Sequence, residues 1–293
     1  MVKDTLEKTR EIVWPKIKKY LQDPPYPKQF QIPKDYKKEV DLYWKINSDY
    51  PERKGKYLRP TLVLLVAQAL GTEIPQASGT AAAMQLSQEW ILIHDDIEDR
   101  SETRREKPTL HKIHGDELAI NAGDALNTIV WKMINDLDSK EISEEFYTIL
   151  MRTILGQGVE QIWTNRKKKR ISTNEYFFIA DSKSAYYTIA GPMRLGAIVA
   201  KATPTQIDKI TDFGLYLGRC FQLVDDIIDL EQDKKEGKVT LANTKGIKFT
   251  KKLAQKMKDR AKEIFDNKLG FLSHEPARSE LIGLIDFILE RKY

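Results

Sequence analysis

Apolar side chains recur at steps of three and four residues along nearly the whole chain. The stripes run through Leu6 to Leu21, Tyr57 to Leu70, Thr80 to Ile97, Leu118 to Leu137, Phe146 to Trp163, Tyr176 to Val199, Ile207 to Leu230, Phe249 to Phe265 and Leu281 to Leu289. That spacing lines one face of an α-helix, and burying the face drives the helices together. No segment alternates apolar and polar residues between turn signals, as a half-buried strand requires. Punctuation agrees: Gly71 follows one stripe, Pro75 precedes the next, Thr203 and Pro204 read as a cap with a proline at the first helical position, and Gly270 lies beyond a late helix. The pattern predicts an all-α chain, one domain over residues 1–293, with no Gly/Ser-rich or Pro-rich linker. Prolines 24, 25 and 27 only separate the first helix from the rest. Three stretches read as irregular and therefore as candidate binding loops: Ser48 to Lys56, Arg100 to Leu110 and Glu231 to Gly246.

Composition narrows the setting. With 48 Lys and Arg against 43 Asp and Glu, the net charge of +5 over 293 residues is too mild to argue for nucleic acid. Cys220 stands alone, which excludes an intrachain disulfide and a cysteine zinc site and fits a reducing, cytoplasmic setting. The longest apolar run, Leu62 to Ala67, falls far short of the roughly 20 residues that cross a bilayer. Met1 to Arg10 lacks the apolar core of an export signal. The basic run Arg166 to Arg170 reads as a solvated loop joining two helices.

Chemistry enters with a repeated acidic pattern. One stripe ends in Ile93-His94-Asp95-Asp96-Ile97-Glu98-Asp99, another in Leu223-Val224-Asp225-Asp226-Ile227-Ile228-Asp229. On a helix, positions i and i+4 lie about 40° apart and i+1 about 100° away, so each D-D-x-x-D projects its carboxylates over one sector. Both are embedded in apolar sequence (Trp90 to Ile93; Phe221, Leu223, Val224), which directs them toward a core. Six like charges there are prohibitive unless cations neutralise them. Carboxylate oxygens without a Cys or His ligand set suit Mg²⁺, a hard ion that completes its shell with water and phosphate. Phosphate-binding cations flank the motifs: Lys56 and Arg59, Arg104 and Arg105, Lys183 and Lys238.

As an ordered set these features resemble the trans-isoprenyl diphosphate synthases, the polyprenyl synthetase family, in its short-chain geranylgeranyl and farnesyl form. Further points of resemblance are Pro108-Thr109-Leu110-His111, Asn121-Ala122-Gly123-Asp124-Ala125-Leu126 and Phe221-Gln222; the likeness runs from about Gly55 onward. The resemblance implies a single helical bundle around a deep central cavity, usually a homodimer. It implies about three Mg²⁺ ions on Asp95, Asp99 and Asp225, with Asp96, Asp226 and Asp229 completing or supporting the shells. Arg104, Lys183 and Lys238 would bind an allylic diphosphate. Lys56, Arg59 and Arg105 would grip isopentenyl diphosphate, with Gln88 at a position that the family fills with His or Gln. The Ser184 hydroxyl, the Gln222 amide and the Lys183 carbonyl would face an allylic cation. The activity implied is head-to-tail prenyl transfer.

Two glycines of the family pattern are replaced here, by Lys54 and Glu106, and Ser184 stands where Thr is commoner. The segment after Asp229 is short, so Lys235 or Lys245 is an alternative to Lys238. Residues one to two turns before Asp95 set product length in this family: Trp90, Ile91 and Ser87. The Trp90 indole favours a C20 product, with C15 next. A terpene cyclase has no use for the Lys56/Arg59 grip or the second D-D-x-x-D. The weakly active subunit of a two-component prenyltransferase commonly loses aspartates that are intact here. A His-Asp phosphohydrolase needs an upstream histidine and a di-iron bundle needs Glu-x-x-His pairs; neither is present.

Overall fold

The computed structural model describes residues 2–22 and 31–289; prolines 24, 25 and 27 lie outside them. The helices are α1 (Val2–Gln22), α2 (Lys37–Arg53), α3 (Leu58–Ala69), α4 (Ile74–Glu98), α5 (Leu110–His114), α6 (Asp116–Asn135), α7 (Lys140–Asn165), α8 (Thr173–Ile179), α9 (Gly191–Val199), α10 (Pro204–Ile228), α11 (Leu230–Glu236), α12 (Leu241–Thr244), α13 (Ile247–Lys268) and α14 (Ala277–Leu289). Every apolar stripe falls in helix, and the fold class is all-α. No helix among the described residues is long and apolar enough to cross a membrane.

The chain packs as two compact units. The first takes in the opening residues, Thr61–Ala77 and the chain from Lys140 onward; the second takes in the rest, Leu6–Pro60 and Ser78–Ser139. In the first unit α10 packs along α13 and against α9. Its start follows the expected signals: the Thr203 side chain accepts from Gln206 N, the Gln206 side chain accepts from Thr203 N, and Pro204 takes the first helical position.

Between α8 and α9 the backbone stays helical but widens into two π-type turns, Ala180–Ser184 and Tyr186–Ala190. Ala185 N donates to Ala180 O and Gly191 N to Tyr186 O, five residues back instead of four. Such turns are rare and collect at functional sites. Close approach permits this one: a Cβ on Gly218 of α10 would sit 2.5 Å from Ala185 Cα, and one on Gly156 of α7 would sit 2.9 Å from Lys183 N.

In the second unit α2 packs on α6, and α5 leads into α6. A small antiparallel hairpin, β1 (Thr103–Arg104) and β2 (Lys107–Pro108), follows α4, with Thr103 opposite Pro108. Its two-residue turn places Arg105 (φ 53°) and Glu106 (φ 64°) in the left-handed region, the combination whose twist suits so tight a connection. A non-glycine residue there costs about 1–2 kcal/mol. Lys54, the other glycine replacement, also has positive φ, 51°, and its ammonium sits 5.2 Å from the Trp14 ring.

Two expected irregular stretches are more ordered than their sequence suggests. Ser48 to Arg53 continue α2 through Pro51, because Tyr50 and Pro51 are buried and hold the last turn in place. Glu231 to Gly246 contains α11 and α12, which are too short to show a stripe; α12 is fixed by a reciprocal cap between Thr240 and Asn243. Arg100 to Leu110 holds the hairpin, a ladder too short to show alternation.

Candidate active site

The second aspartate motif sits at the end of α10, where it lines a cavity of about 220 Å³ in the first unit. Around it α7 supplies Glu160 and Trp163, α8 supplies Tyr176, the first wide turn supplies Lys183 and Ser184, and the loop after α11 supplies Lys238. Gln222, Asp225, Asp226, Asp229 and Asp233 complete the polar wall. The motif thus shares one space with Lys183, Ser184, Gln222 and Lys238. Lys235 and Lys245 do not line it; Lys245 Nζ donates to Thr173 Oγ1 at 3.2 Å.

The members of the motif differ in surroundings. Asp226 is buried; its carboxylate accepts from Tyr176 OH at 2.7 Å and from Gln222 Nε2 at 2.7 Å. Burial pushes its pKa up to about 7, reinforced by the charges of Asp233 and Glu160 and opposed by those two hydrogen bonds. Asp233, one turn beyond Asp229, is pushed up to about 6, first by burial and then by Asp229, Glu236 and Glu160, against the pull of Lys238. Asp225 is half-buried and Asp229 exposed. Asp226 is therefore the most enclosed of the three, while Asp225 and Asp229 face the cavity less enclosed.

Lys183 is aimed by its wide turn. The Asp181 carboxylate is gripped by Arg219, Nε at 2.7 Å and Nη2 at 2.5 Å, and Arg152 Nη2 donates to the Asp181 carbonyl at 3.2 Å. Beyond that turn Lys183 Nζ donates to Glu160 Oε2 at 2.7 Å. Lys238 Nζ pairs with Glu236 at 2.8 Å.

In the second unit the first motif closes α4. Asp96 is fully buried and accepts from Tyr50 OH at 2.6 Å and from the Arg104 guanidinium, whose Nε lies 3.1 Å from both carboxylate oxygens. Arg104 is 4.0 Å from Asp95. Its carbonyl accepts from Arg53 Nη1 at 3.0 Å, and Arg53 lies over the Tyr50 ring at 4.7 Å. Burial and Asp96 raise the Tyr50 phenol above its ordinary value, so it stays a donor. Asp95 and Asp99 are half-buried.

Arg105 makes contacts within the second unit. Its Nη1 donates to Tyr50 O at 2.9 Å and its Nη2 lies 3.1 Å and 3.0 Å from the two oxygens of Glu89. Glu89 is only 1% exposed and accepts from Gln85 Nε2 at 2.7 Å; burial raises its pKa despite Arg105. Lys56 is exposed, and Arg59 and Gln88 are half-buried. Trp90 is buried with its ring edge-on to His94, centroids 5.7 Å apart. His94 fits against Gly123 of α6, where a Cβ would clash with it. Ser87 Oγ donates to Met84 O at 2.8 Å, and Ile91 is half-buried.

The sequence pattern did not single out Tyr50, Arg53, Glu89, Glu160, Tyr176, Asp181, Arg219 or Asp233. Only Asp233 carried a signal: it extends the four-residue row Asp225, Asp229, Asp233.

The donor set around the cavity fits Mg²⁺. Its carboxylates raise one another's pKa, which a divalent cation would relieve. Among the described residues no group of three or more Asp, Glu, His or Cys side chains is placed to hold a metal ion by itself, so water or ligand oxygens would have to supply most of the shell, as Mg²⁺ accepts.

Residues 41–281 match the family model described as polyprenyl synthetase. The chain belongs to the polyprenyl synthetase family. It is a prenyltransferase. It is 29% identical to a short chain isoprenyl diphosphate synthase of Methanothermobacter thermautotrophicus, over 82% of this chain and 87% of the relative. It is 32% identical to a geranylgeranyl diphosphate synthase of Sulfolobus acidocaldarius, over 82% of this chain and 74% of the relative. The crystal structure of a decaprenyl diphosphate synthase from Rhodobacter capsulatus superposes with a TM-score of 0.82 at 19% identity, covering 99% of each chain. That likeness is one of fold alone.

Two outcomes follow from the carboxylates. Arg105→Gln strands Glu89 and lowers stability by about 3 kcal/mol; adding Glu89→Gln restores most of it, read by denaturant unfolding. The second concerns pH. Asp226 binds its proton more tightly folded than unfolded, so stability in metal-free buffer falls as pH rises from about 4 to about 7. Asp226→Asn removes this loss, so thermal melts show the variant gaining about 2 kcal/mol on the parent between pH 5 and pH 8.

Proposed function

We propose that this protein is a Mg²⁺-dependent short-chain isoprenyl diphosphate synthase that condenses isopentenyl diphosphate with an allylic diphosphate and releases pyrophosphate. The observation that carries this is the single cavity in which the second aspartate motif, Lys183 and Lys238 meet. Carboxylates alone would repel a diphosphate; carboxylates with cations and two lysines bind one. Asp225 and Asp229 are its metal ligands there, Asp226 holds the end of the row in place through Tyr176 and Gln222, and Asp95 and Asp99 are the metal ligands of the first motif. About three Mg²⁺ ions held by these aspartates would supply Lewis-acid stabilisation to the departing diphosphate when bound.

Lys183 and Lys238 bind the allylic diphosphate by charge-assisted hydrogen bonds. The Ser184 hydroxyl and the Gln222 amide oxygen offer partial negative charge to the allylic cation left behind, in a site that must exclude water. Arg104, paired with Asp96, assists the first motif from its edge. Lys56 and Arg59 bind isopentenyl diphosphate beside Gln88. Arg105 contributes by fixing the hairpin against Glu89 rather than by leaving it, since departure would abandon a buried carboxylate. Trp90, with Ile91 and Ser87, forms the floor that stops chain growth at C20, with C15 next. The working form is a cytoplasmic homodimer of one catalytic domain per chain.

Incubation with Mg²⁺, labelled isopentenyl diphosphate and C5, C10 or C15 allylic primers should yield chiefly C20 diphosphate. Asp225→Asn should lower kcat by about a hundredfold or more. Absence of incorporation with all three primers contradicts the proposal. Trp90→Ala should lengthen the product, and an unchanged product distribution rejects the floor.

A further inference from the structure

Lys183 and Glu160 form an ion pair at 2.7 Å inside the cavity, with side-chain exposures of 22% and 21%. Glu160 comes from α7, not from the helix that carries the aspartate row, and neither acidic motif accounts for it. Its charge reaches far: it raises the pKa of Tyr176, Asp226 and Asp233. The lysine end is held just as firmly, because Arg219, Asp181 and Arg152 fix the wide turn from which Lys183 projects. A diphosphate that takes the Lys183 N–H now donated to Glu160 displaces an existing charge-assisted bond. It also leaves Glu160 uncompensated among carboxylates that already repel it.

We infer that Glu160 is an internal competitor for Lys183, occupying it in place of phosphate so that a bare diphosphate binds poorly and a cation-complexed one binds well. A diphosphate accompanied by divalent cations carries in the positive charge that Glu160 needs once Lys183 has turned away. A bare one carries only more negative charge. Glu160 acts through Lys183 and is a positioning residue: it makes the site discriminate between the two forms of the same anion. Only the assignment of diphosphate as ligand class rests on the function proposed above.

The test is calorimetric titration of the full-length protein with inorganic pyrophosphate in chelator. Glu160→Gln should bind about tenfold tighter than the parent, the size of one charge-assisted hydrogen bond changing partner. Lys183→Met should abolish the gain, so that Glu160→Gln/Lys183→Met binds no tighter than Lys183→Met alone. With excess Mg²⁺ the gain from Glu160→Gln should shrink or reverse. Equal or weaker binding by Glu160→Gln in chelator, or no binding by either protein, overturns the inference. So does a gain that persists without Lys183, because simple removal of negative charge would then explain it, and so does a gain that Mg²⁺ leaves intact. Glu160→Ala repeats the comparison if circular dichroism shows the amide variant misfolded. None of these readings depends on turnover: failure to incorporate isopentenyl diphosphate would sink the proposed function and leave this result standing.

Discussion

Burial of like charge is the constraint on which the rest of the site depends. Glu160, Asp225, Asp226, Asp229 and Asp233 line one cavity, and two of them are lifted far enough that protons compete for them near neutral pH. A protein gains nothing in stability by gathering carboxylates in this way; desolvation and repulsion both oppose it. The arrangement makes sense as a site that is unfinished without a ligand of opposite charge. Tyr176 and Gln222 do what neutral groups can: they hydrogen-bond both oxygens of Asp226, yet burial still wins.

The second unit solves a similar problem internally. Asp96 and Glu89 are almost wholly buried, but each has its own arginine and a further hydrogen-bond donor, Tyr50 for Asp96 and Gln85 for Glu89. Arg104 and Arg105 are adjacent in sequence, and the left-handed turn at Arg105 and Glu106 sends one guanidinium to each carboxylate. Backbone strain at two non-glycine residues, about 1–2 kcal/mol each, is offset by placing both charges. The replacement of glycine by Glu106 is thus absorbed by the loop without loss of the hairpin.

Much of this was legible in the sequence. The helices follow from their apolar stripes, and the Thr203 cap and the glycine turns appear where punctuation put them. The D-D-x-x-D motifs announce acidic chemistry because four-residue spacing on a helix is enough to place carboxylates together. The partners of those motifs were not legible. Tyr50 lies 46 positions from Asp96, Tyr176 lies 50 from Asp226, and Glu160 lies 23 from Lys183; tertiary packing alone brings them together. The wide turns under Lys183 were not legible in the stripe Tyr176 to Val199 either. Arg105 shows what motif reading leaves out: the residue read as a phosphate grip also pairs with a buried glutamate.

Divalent cations carrying a diphosphate would complete the cavity of the first unit. The most direct measurement is the thermal midpoint of the metal-free protein on adding Mg²⁺ with pyrophosphate, compared with either alone. The expected result is a rise of about 5 °C or more for the pair together, little change with either alone, and loss of the rise in Asp225→Asn/Asp229→Asn. An unchanged midpoint with both present, or an equal rise in the double variant, would contradict it.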